Sequence, residues 1–137
     1  MRSSYKVISS LLFVMLVGCA AIVVTPQARK VVVSPNRAPK GCQYLDQVVG
    51  NQGNFFVGAY TSNAHLEEGA MNDLRNKASI LGGNYVQLIS SRAGITGNMG
   101  GSLDTRSVGG SSQQTNVTNV GNVYHCPPKL IGLVPNL

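Results

Sequence analysis

The chain has 137 residues, a length that suits a single domain. Its formal net charge of +6 comes from 11 Lys and Arg residues against 5 Asp and Glu residues. The basic residues are scattered along the chain, whereas a nucleic-acid-binding protein usually clusters them on one face. We therefore expect no nucleic-acid partner. A solvated basic surface, or a weak attraction to anionic lipid headgroups, accounts for the charge.

The first 19 residues have the anatomy of a lipoprotein export signal. Arg2 and Lys6 supply positive charge, and residues 7–17 form an apolar segment interrupted only by two serines. Leu16-Val17-Gly18-Cys19 then resembles a bacterial lipobox, in which the chain is cleaved before the cysteine and the thiol receives lipid. We expect residues 1–18 to be a signal peptide and Cys19 to carry a covalent lipid, with no other cofactor.

The residues around Cys19 also bear on the compartment. Ala20, rather than Asp, follows the cysteine, which in sorted lipoproteins implies the outer membrane. We expect a lipid-anchored protein on the periplasmic side of that membrane, with residues 19–30 as a short tether. Two alternatives stay open. Residues 7–24 carry no charge and just meet the length of a transmembrane helix, which would place the protein in the inner membrane, and Cys19 could be a buried thiol.

Residues 31–126 are expected to form a small single α+β domain. Its strands are β-branched or alternating runs bounded by turn residues, at 31–33, 42–49, 85–89 and 116–124. Residues 55–60 are either a further short strand or a packed loop. The expected order is β-β-α-β-β, with one main helix packed on a mostly antiparallel sheet. In the second strand, Tyr44 and Val48 are expected on one face.

The helix is predicted over residues 64–82. Thr61-Ser62-Asn63 is a helix-start signal, and Gly82-Gly83 suits a left-handed C-cap. Between them, apolar residues recur at steps of three or four, which places them on one face. These residues are Leu66, Ala70, Leu74, Ala78 and Leu81. Gly69 inside the helix indicates a backbone that packs closely on the sheet.

Residues 90–115 are predicted to be a long mobile loop. They are rich in Gly, Ser, Asn and Gln and hold few large apolar residues, so they cannot bury enough surface to offset the entropy of ordering. Residues 127–137 form an apolar, proline-containing tail that lies along the domain or frays.

Cys42 and Cys126 remain as a pair once Cys19 is assigned to lipid. In an oxidising compartment we expect a disulfide between them, which closes a long loop and contributes on the order of 4 kcal/mol. We expect no metal site, because His125 and Cys126 are adjacent in a strand and point to opposite faces. The few carboxylates and the lack of a phosphate-binding motif leave no recognisable active site, so we expect no enzyme.

A family resemblance adds to this interpretation. It rests on three stretches: Asp73-Leu74-x-x-Lys77-Ala78-x-x-Leu81-Gly82-Gly83-Asn84-x-Val86, Cys42-x-Tyr44-Leu45, and Tyr124-His125-Cys126. Together they resemble an uncharacterised bacterial lipoprotein family, whose folded domain is similar to that of outer-membrane stress-sensor lipoproteins of the RcsF type. The resemblance implies a small α+β domain held by a disulfide, without catalysis. Domains of RcsF type carry four cysteines and a long proline-rich spacer, and this chain has neither.

The function we expect is contact with other envelope proteins. The protein would be an accessory subunit of an envelope or secretion assembly, or a sensor-like module, with loop 90–115 and the exposed side of the helix as contact surfaces. The alternative is a periplasmic protein that binds or hydrolyses cell-wall or lipid material, which requires a cleft with convergent polar groups.

Overall fold

A computed structural model describes residues 20–54, 58–102 and 107–133. Its main elements in chain order are β1 (Val32–Ser34), β2 (Gln43–Gly53), α1 (Asn63–Ile80), β3 (Tyr85–Ser102) and β4 (Ser107–His125). Three short 3-10 helices are also present, at Ala28–Lys30, Gly58–Tyr60 and Pro128–Ile131. The predicted α+β class, with the element order β-β-α-β-β, is confirmed.

The four strands form one sheet in the order β1-β3-β4-β2. β4 is antiparallel to both of its neighbours, β2 and β3. β1 runs parallel to β3 and pairs with it only over Tyr85–Gln87. The sheet is therefore mixed, with a short parallel strand at one border and β2 at the other.

The helix begins and ends where its capping residues predict. The Ser62 hydroxyl accepts a hydrogen bond from the His65 backbone N–H at 3.2 Å, which satisfies one of the free donors of the first turn. At the other end Gly82 has φ +78°, and the N–H groups of Gly82 and Gly83 donate to Ser79 and Ala78 at 3.0 and 2.9 Å. This is a Schellman cap, which needs a glycine at the left-handed position.

The helix packs its predicted apolar face on the centre of the sheet. Leu66, Ala70, Leu74 and Ala78 are all 0% exposed. A methyl group at Gly50 of β2 would collide with the helix backbone at Ala70 and Leu74, so the close approach of helix and sheet requires this glycine. Leu81 was expected on the same face but is 41% exposed, because it lies beyond the last helical residue, within the cap.

A β-bulge changes the faces of β2. The pairing of β2 with β4 shifts register between Tyr44 and Asp46, which leaves Leu45 as the extra residue. Val48 therefore faces the helix and packs on the core, whereas the Tyr44 ring stacks edge-on against Tyr124 on the other face, with ring centroids 5.6 Å apart. The expectation that Tyr44 and Val48 share a face is wrong for this reason.

Strands occupy most of the region that was predicted to be a loop. Within residues 90–115, β3 reaches Ser102 and β4 starts at Ser107. The two strands pair as far as Ser102 opposite Ser107, with one register shift between Gly94 and Ile95 that leaves Thr115 as an extra residue. The prediction weighed only side-chain burial. A two-stranded ladder satisfies backbone hydrogen bonds without large apolar residues, and small polar residues are compatible with it. Mobility of this region stays a prediction.

The remaining expectations concern the short connections. Gly58–Tyr60 is a 3-10 helix, and residues 55–57 lie outside the described part of the chain. In the tail, Pro128–Ile131 forms the last 3-10 helix, and residues 134–137 are likewise outside it. Within the described residues, no helix combines the length and hydropathy needed to cross a membrane.

Candidate functional site: two sheet edges and a cavity beside the helix

The structure joins two of the three predicted site cysteines. Cys42 and Cys126 form the expected disulfide, with 4.2 Å between their Cα atoms and a sequence separation of 84. The bond connects the start of β2 to the residue after β4, and Cys126 is fully buried. Cys19, the predicted lipidation site, lies outside the described residues. The disulfide is thus a structural bond between two neighbouring strands.

Asn84 explains part of the sequence pattern around the disulfide. Its side-chain amide donates to the Cys126 carbonyl and accepts from the Cys126 N–H, both at 2.7 Å. The amide thereby imitates one more backbone pair beyond the end of the β3–β4 ladder. The backbone N–H of Asn84 donates to Tyr124 O at 3.0 Å, and His125 Nδ1 lies 3.0 Å from Gly82 O. Gly82-Gly83-Asn84 and Tyr124-His125-Cys126 therefore form one hydrogen-bonded unit.

The segment of residues 20–31, here called the strap, crosses the outer side of the helix. Three amide side chains hold its backbone: Gln52 on β2 and Asn72 and Asn76 on α1. Gln52 accepts from the Ile22 N–H at 2.7 Å and donates to Ala20 O at 3.1 Å. Asn72 donates to Ile22 O, and Asn76 exchanges hydrogen bonds with Thr25 N and Val23 O. Residues expected to form a tether are packed on the domain from Ala20 onward.

Gly69 makes room for this arrangement. A methyl group there would overlap the side-chain amide of Gln52, the group that holds both Ala20 and Ile22. The close packing predicted from Gly69 is therefore present, but it accommodates a glutamine side chain. At its other end the strap buries Val31 among Leu74 and Ala78 before it enters β1. The helix is thus held between the sheet and the strap.

The outer edge of β2, here called the guarded edge, is occupied by side chains. Lys77 Nζ donates to the Val49 carbonyl at 2.8 Å, and the Asn51 N–H donates to Asp73 Oδ2 at 2.9 Å. Lys77 and Asp73 also form an ion pair at 2.7 Å, one helical turn apart. These side chains take backbone groups that an added strand would need, which is a recognised way of preventing edge-to-edge association.

The outer edge of β3 over residues 89–97, here called the open edge, differs. β1 borders β3 only as far as Gln87, and beyond that point no other strand lies beside this edge among the residues that the structure describes. Ile89 and Ile95 are 50% and 67% exposed. Arg92 is the single Lys, Arg, Asp or Glu residue in the sequence of β3, and β4 has none. Outward backbone donors and acceptors along this stretch are not paired with another described strand.

Beyond Gly94 and Asn116 the β3–β4 pair continues as a two-stranded ribbon, defined here as residues 95–102 and 107–115. β2 ends opposite Asn116, so no third strand lies beside the ribbon among the described residues. Eight residues at about 3.3 Å each give the ribbon a reach of roughly 26 Å. It leaves the domain at the end of β2 where Gln52 holds Ala20.

A cavity of about 300 Å³ lies between the helix and the strands β3 and β4. Its lining residues are Glu67, Met71, Ser91, Ala93, Val117 and Asn119. The cavity exists because the helix packs over β2 and β4 and leaves the helix-facing side of β3 partly uncovered. A small polar residue and an alanine on β3 then leave space beside Met71.

Asn119 is the buried polar residue of this cavity. It is 1% exposed, and its Oδ1 atom has no hydrogen-bond partner among the described residues. It also interrupts the core, because it lies on β4 between Val117 of one apolar cluster and Val123 of the other. An unsatisfied buried acceptor costs about 1–3 kcal/mol, so its presence here calls for a reason.

Two further surface features lie away from the sheet edges and from this cavity. On the face of the sheet opposite the helix, a cavity of about 470 Å³ is flanked by Arg37 and Lys40 of the β1–β2 connection. At the end of the helix, Ile80 is 83% exposed beside Leu81 and Val49, which form an apolar patch. No group of three His, Cys, Asp or Glu side chains is placed to hold a metal ion within the described ranges.

Sequence reasoning missed the residues that matter most here. Gln52, Asn72 and Asn76 carry no local signal, because their partner is a segment some 30 to 50 positions away. Asn119 had a signal: it occupies one of the alternating positions 117, 119, 121 and 123 that all face the core. An amide inside that alternation departs from the apolar pattern of the core-facing positions.

These features define a class: a small disulfide-linked α+β domain with a strapped helix, one guarded edge and one open edge. The chain belongs to the family described as Domain of unknown function (DUF4156), whose model matches residues 23–126. That match begins within the strap and ends at the second disulfide cysteine.

The chain is also similar to three curated relatives. "Uncharacterized protein YjeI" of Escherichia coli (strain K12) is 31% identical over 86 residues, which cover 63% of each chain. The proteins of the same name from Escherichia coli O6:H1 and Shigella flexneri give the same identity and coverage. The match thus spans less than two thirds of the relatives' own length. No solved structure matches.

Proposed function

We propose that the protein is a non-catalytic envelope lipoprotein that binds an envelope protein partner through its open edge. In this proposal Cys19 carries lipid, and the domain is held on the periplasmic side of the outer membrane. An accessory subunit of an envelope or secretion assembly and a sensor-like module of the RcsF type are both roles of this kind. The inner-membrane alternative, with a transmembrane amino terminus, is tested below.

The observation that carries the proposal is the open edge of β3. Residues 89–97 offer outward backbone groups, two exposed isoleucines and one charge, Arg92. An extended segment of a partner can add to such an edge as a further strand, in which main-chain hydrogen bonds provide affinity. The partner segment should be uncharged or acidic, since Arg92 is the one charged residue in the sequence of the open edge itself.

The strap supports the anchoring part of the proposal. Ala20 O is hydrogen-bonded to Gln52, so a lipid on the preceding residue would emerge at the domain surface without a free linker. The ribbon leaves the domain at this same end. In the lipidated protein the ribbon would therefore lie close to the bilayer, and partners within or beside the membrane could reach it. The disulfide fits an oxidising compartment.

Site-specific cross-linking tests the contact surface. A photoreactive amino acid is placed at Ile95 on the open edge, and a matched one at Gln47, which is also exposed, on β2 at the guarded edge. In intact cells we expect a defined cross-linked product from position 95 and none from position 47. The cross-linked peptide, identified by mass spectrometry, should be an extended segment of an envelope protein.

A charge on the open edge should remove this product. Ile89→Lys, with the photoreactive group still at position 95, is expected to lower cross-linking at least fivefold, because lysine disfavours strand addition. Ile80→Lys is the control, since Ile80 is equally apolar and 83% exposed but lies at the end of the helix. Equal products from positions 95 and 47, or equal losses in both lysine variants, would exclude the open edge as the contact.

A second experiment tests the anchor. Cys19→Ser should abolish metabolic labelling with a fatty acid and release the domain from outer-membrane fractions. Continued membrane retention without labelling would support the transmembrane alternative. This experiment measures lipid attachment, and the cross-linking experiment measures protein contact. The anchor and the contact surface are therefore tested independently.

A further inference from the structure

The cavity of about 470 Å³ on the face of the sheet opposite the helix, here called the basic cavity, has a volume typical of ligand sites. Arg37 and Lys40 flank it, and its lining contains no Asp or Glu. Neither cation forms an ion pair with another described residue. The basic cavity therefore has two positive charges that the described part of the chain does not balance.

Two half-buried amides line the sheet side of the basic cavity. Gln87 on β3 and Asn122 on β4 are register partners, so their side chains lie next to each other. Asn122 Oδ1 accepts a hydrogen bond from Gln47 Nε2 at 3.1 Å, and Gln87 Oε1 accepts one from the Tyr124 hydroxyl at 3.5 Å. The NH2 groups of both amides have no partner among the described residues, and neither is buried away from solvent. A ligand in the cavity can therefore reach both donors.

The loop that carries the two cations is held at both ends. The Asn36 carbonyl accepts a hydrogen bond from the Tyr85 hydroxyl at 3.0 Å, and Tyr85 is itself buried. At the other end, the Cys42 N–H donates to the Pro39 carbonyl at 3.2 Å, and Cys42 is bonded covalently to Cys126. Because the loop is already ordered, binding a ligand beneath it costs little additional conformational entropy.

We propose that the basic cavity binds the carboxylate group of a peptide. A carboxylate accepts about four hydrogen bonds and donates none, which matches a site whose free polar groups are donors. The Arg37 guanidinium can donate two parallel hydrogen bonds to it, and Lys40 adds a second positive charge. The two amide NH2 groups donate from the sheet. Pro39 and Ile89 supply apolar surface for the carbon atoms next to the carboxylate.

The position of the basic cavity favours a peptide over a lipid phosphate. Cys42, next to the start of β2, lines the cavity, whereas Gln52 near the end of β2 holds Ala20 on the helix side of the sheet. A bilayer that holds a lipid on Cys19 is therefore remote from the cavity. The cavity also borders the open edge at Ile89, where an extended segment can pair with β3. This choice of ligand source rests on the proposed function, and carboxylate binding itself does not.

Titrations of the full-length lipidated protein in non-ionic detergent test the chemistry, monitored by nuclear magnetic resonance of the side-chain amides of Gln87 and Asn122. Acetyl-Ala-Ala, which ends in a carboxylate, is compared with its carboxamide, and acetyl-Ala-Asp-Ala-amide is compared with acetyl-Ala-Asn-Ala-amide. In at least one pair we expect the charged peptide to shift both resonances and the neutral peptide to bind at least tenfold more weakly. The pair that responds identifies a terminal or a side-chain carboxylate. Equal binding within both pairs, or no binding of any peptide, would overturn the proposal.

Inorganic phosphate tests the choice of anion. We expect it to bind more weakly than the preferred peptide, because it has no carbon chain to pack on the apolar part of the lining. Phosphate that binds as tightly as the peptide, or more tightly, would contradict the assignment to a peptide carboxylate.

Four variants localise the binding. Arg37→Gln should lower the affinity for the preferred peptide at least tenfold. Arg37→Lys, which keeps the charge without the planar fork, and Lys40→Gln should each lower it severalfold. Arg29→Gln is the matched control, since Arg29 is equally exposed but lies on the strap and does not line the cavity. An unchanged affinity in Arg37→Gln, or an equal loss in Arg29→Gln, would exclude the basic cavity as the site.

Two further readouts separate this proposal from a loss of fold and from the proposed partner contact. The substituted side chains are exposed, so the thermal midpoints of all four variants should equal that of the wild type. The titrations use purified protein and free peptides, so their outcome is independent of cross-linking from position 95 in cells. Failure of the peptides to bind would remove the carboxylate site, and failure of the cross-link would remove the open edge as the contact.

Discussion

The two outer edges of the sheet carry opposite chemistry although they belong to the same small domain. On β2 the helix supplies Lys77 and Asp73 to the backbone groups of Val49 and Asn51. Beside β3, the neighbouring strand β1 ends opposite Gln87. The next residues of β3 expose their backbone, and Arg92 is the one charged residue in their sequence. An edge that can associate is a hazard, and among the described residues helix side chains cover the edge of β2.

The position of the helix accounts for the asymmetry. α1 packs over β2 and β4, so its residues at positions 73 and 77 reach the β2 border, while its opposite flank leaves space above β3. The same offset thus produces the guarded edge and the cavity, whereas the open edge results from the short β1, which ends opposite Gln87. The placement of α1 therefore leaves the β2 side of the domain covered by helix side chains and the β3 side accessible.

The largest expected effect comes from removing the covalent bond on the guarded side. With a sequence separation of 84 between its cysteines, the disulfide should contribute about 4–5 kcal/mol to the free energy of unfolding in the chain-entropy model. The double variant Cys42→Ala, Cys126→Ala should lose this amount in chemical denaturation. In this variant we also expect the backbone amide hydrogens of β2 to exchange with solvent as fast as those of β3. The two edges would then no longer differ in hydrogen exchange.

The control is wild-type protein unfolded with and without reductant. Reductant should lower the denaturation midpoint of the wild type and leave that of the double variant unchanged. Equal midpoints for oxidised and reduced wild type would mean that the bond adds no stability to the β2 side.

The next effect concerns the end of the sheet that both edges share. Asn84→Ala removes both hydrogen bonds to Cys126 and leaves its buried backbone groups unpaired, at a cost of about 2–4 kcal/mol. Asn84→Asp keeps the acceptor and loses the donor, so it should retain part of this stability at neutral pH. Denaturation curves of the two variants measure the difference, and equal losses would show that both bonds are needed together.

The sequence predicted the parts of the fold in which side chains decide the structure. Ser62, Gly82 and the apolar steps from Leu66 to Ala78 placed the helix within two residues at each end. The cysteine count predicted the disulfide. The sequence did not predict the ribbon because its strands depend on backbone pairing. Residues such as Gly109 and Gly110 have no apolar side chains, so the sequence shows no alternating hydrophobic pattern there.

The candidate site was harder to predict for a related reason. The guarded edge depends on which backbone atoms Lys77 and Asp73 reach, and a sequence shows them only as a helical ion pair. The open edge depends on where a neighbouring strand ends. Asn119 alone was readable, as a polar residue within an alternation of buried positions.

A smaller loss of stability is expected when the side chains that cover the guarded edge are removed. The double variant Asp73→Ala, Lys77→Ala should lose only about 1 kcal/mol of stability, since the ion pair is partly exposed. It should, however, convert β2 into a second open edge. In cells, a photoreactive group at Gln47 should then cross-link, whereas Asp73→Asn with Lys77→Arg, which keeps hydrogen-bonding groups at both positions, should not. Absence of any new product would show that the side chains do not act as guards.

The smallest effect concerns one amide on each edge. The Asn51 N–H donates to Asp73 at 2.9 Å, so its hydrogen exchange should be at least tenfold slower than that of the outward amides of residues 89–97. Asp73→Ala should remove this protection at Asn51 while the amides of β2 that pair with β4 keep theirs. Exchange measured by nuclear magnetic resonance resolves each amide separately. If the outward amides of residues 89–97 prove as protected as Asn51, the edge is covered, and the contrast on which the proposed contact depends does not exist in solution. If they exchange freely in the purified protein and become protected when the cross-linked partner segment is added as a peptide, the open edge is the surface that the partner uses.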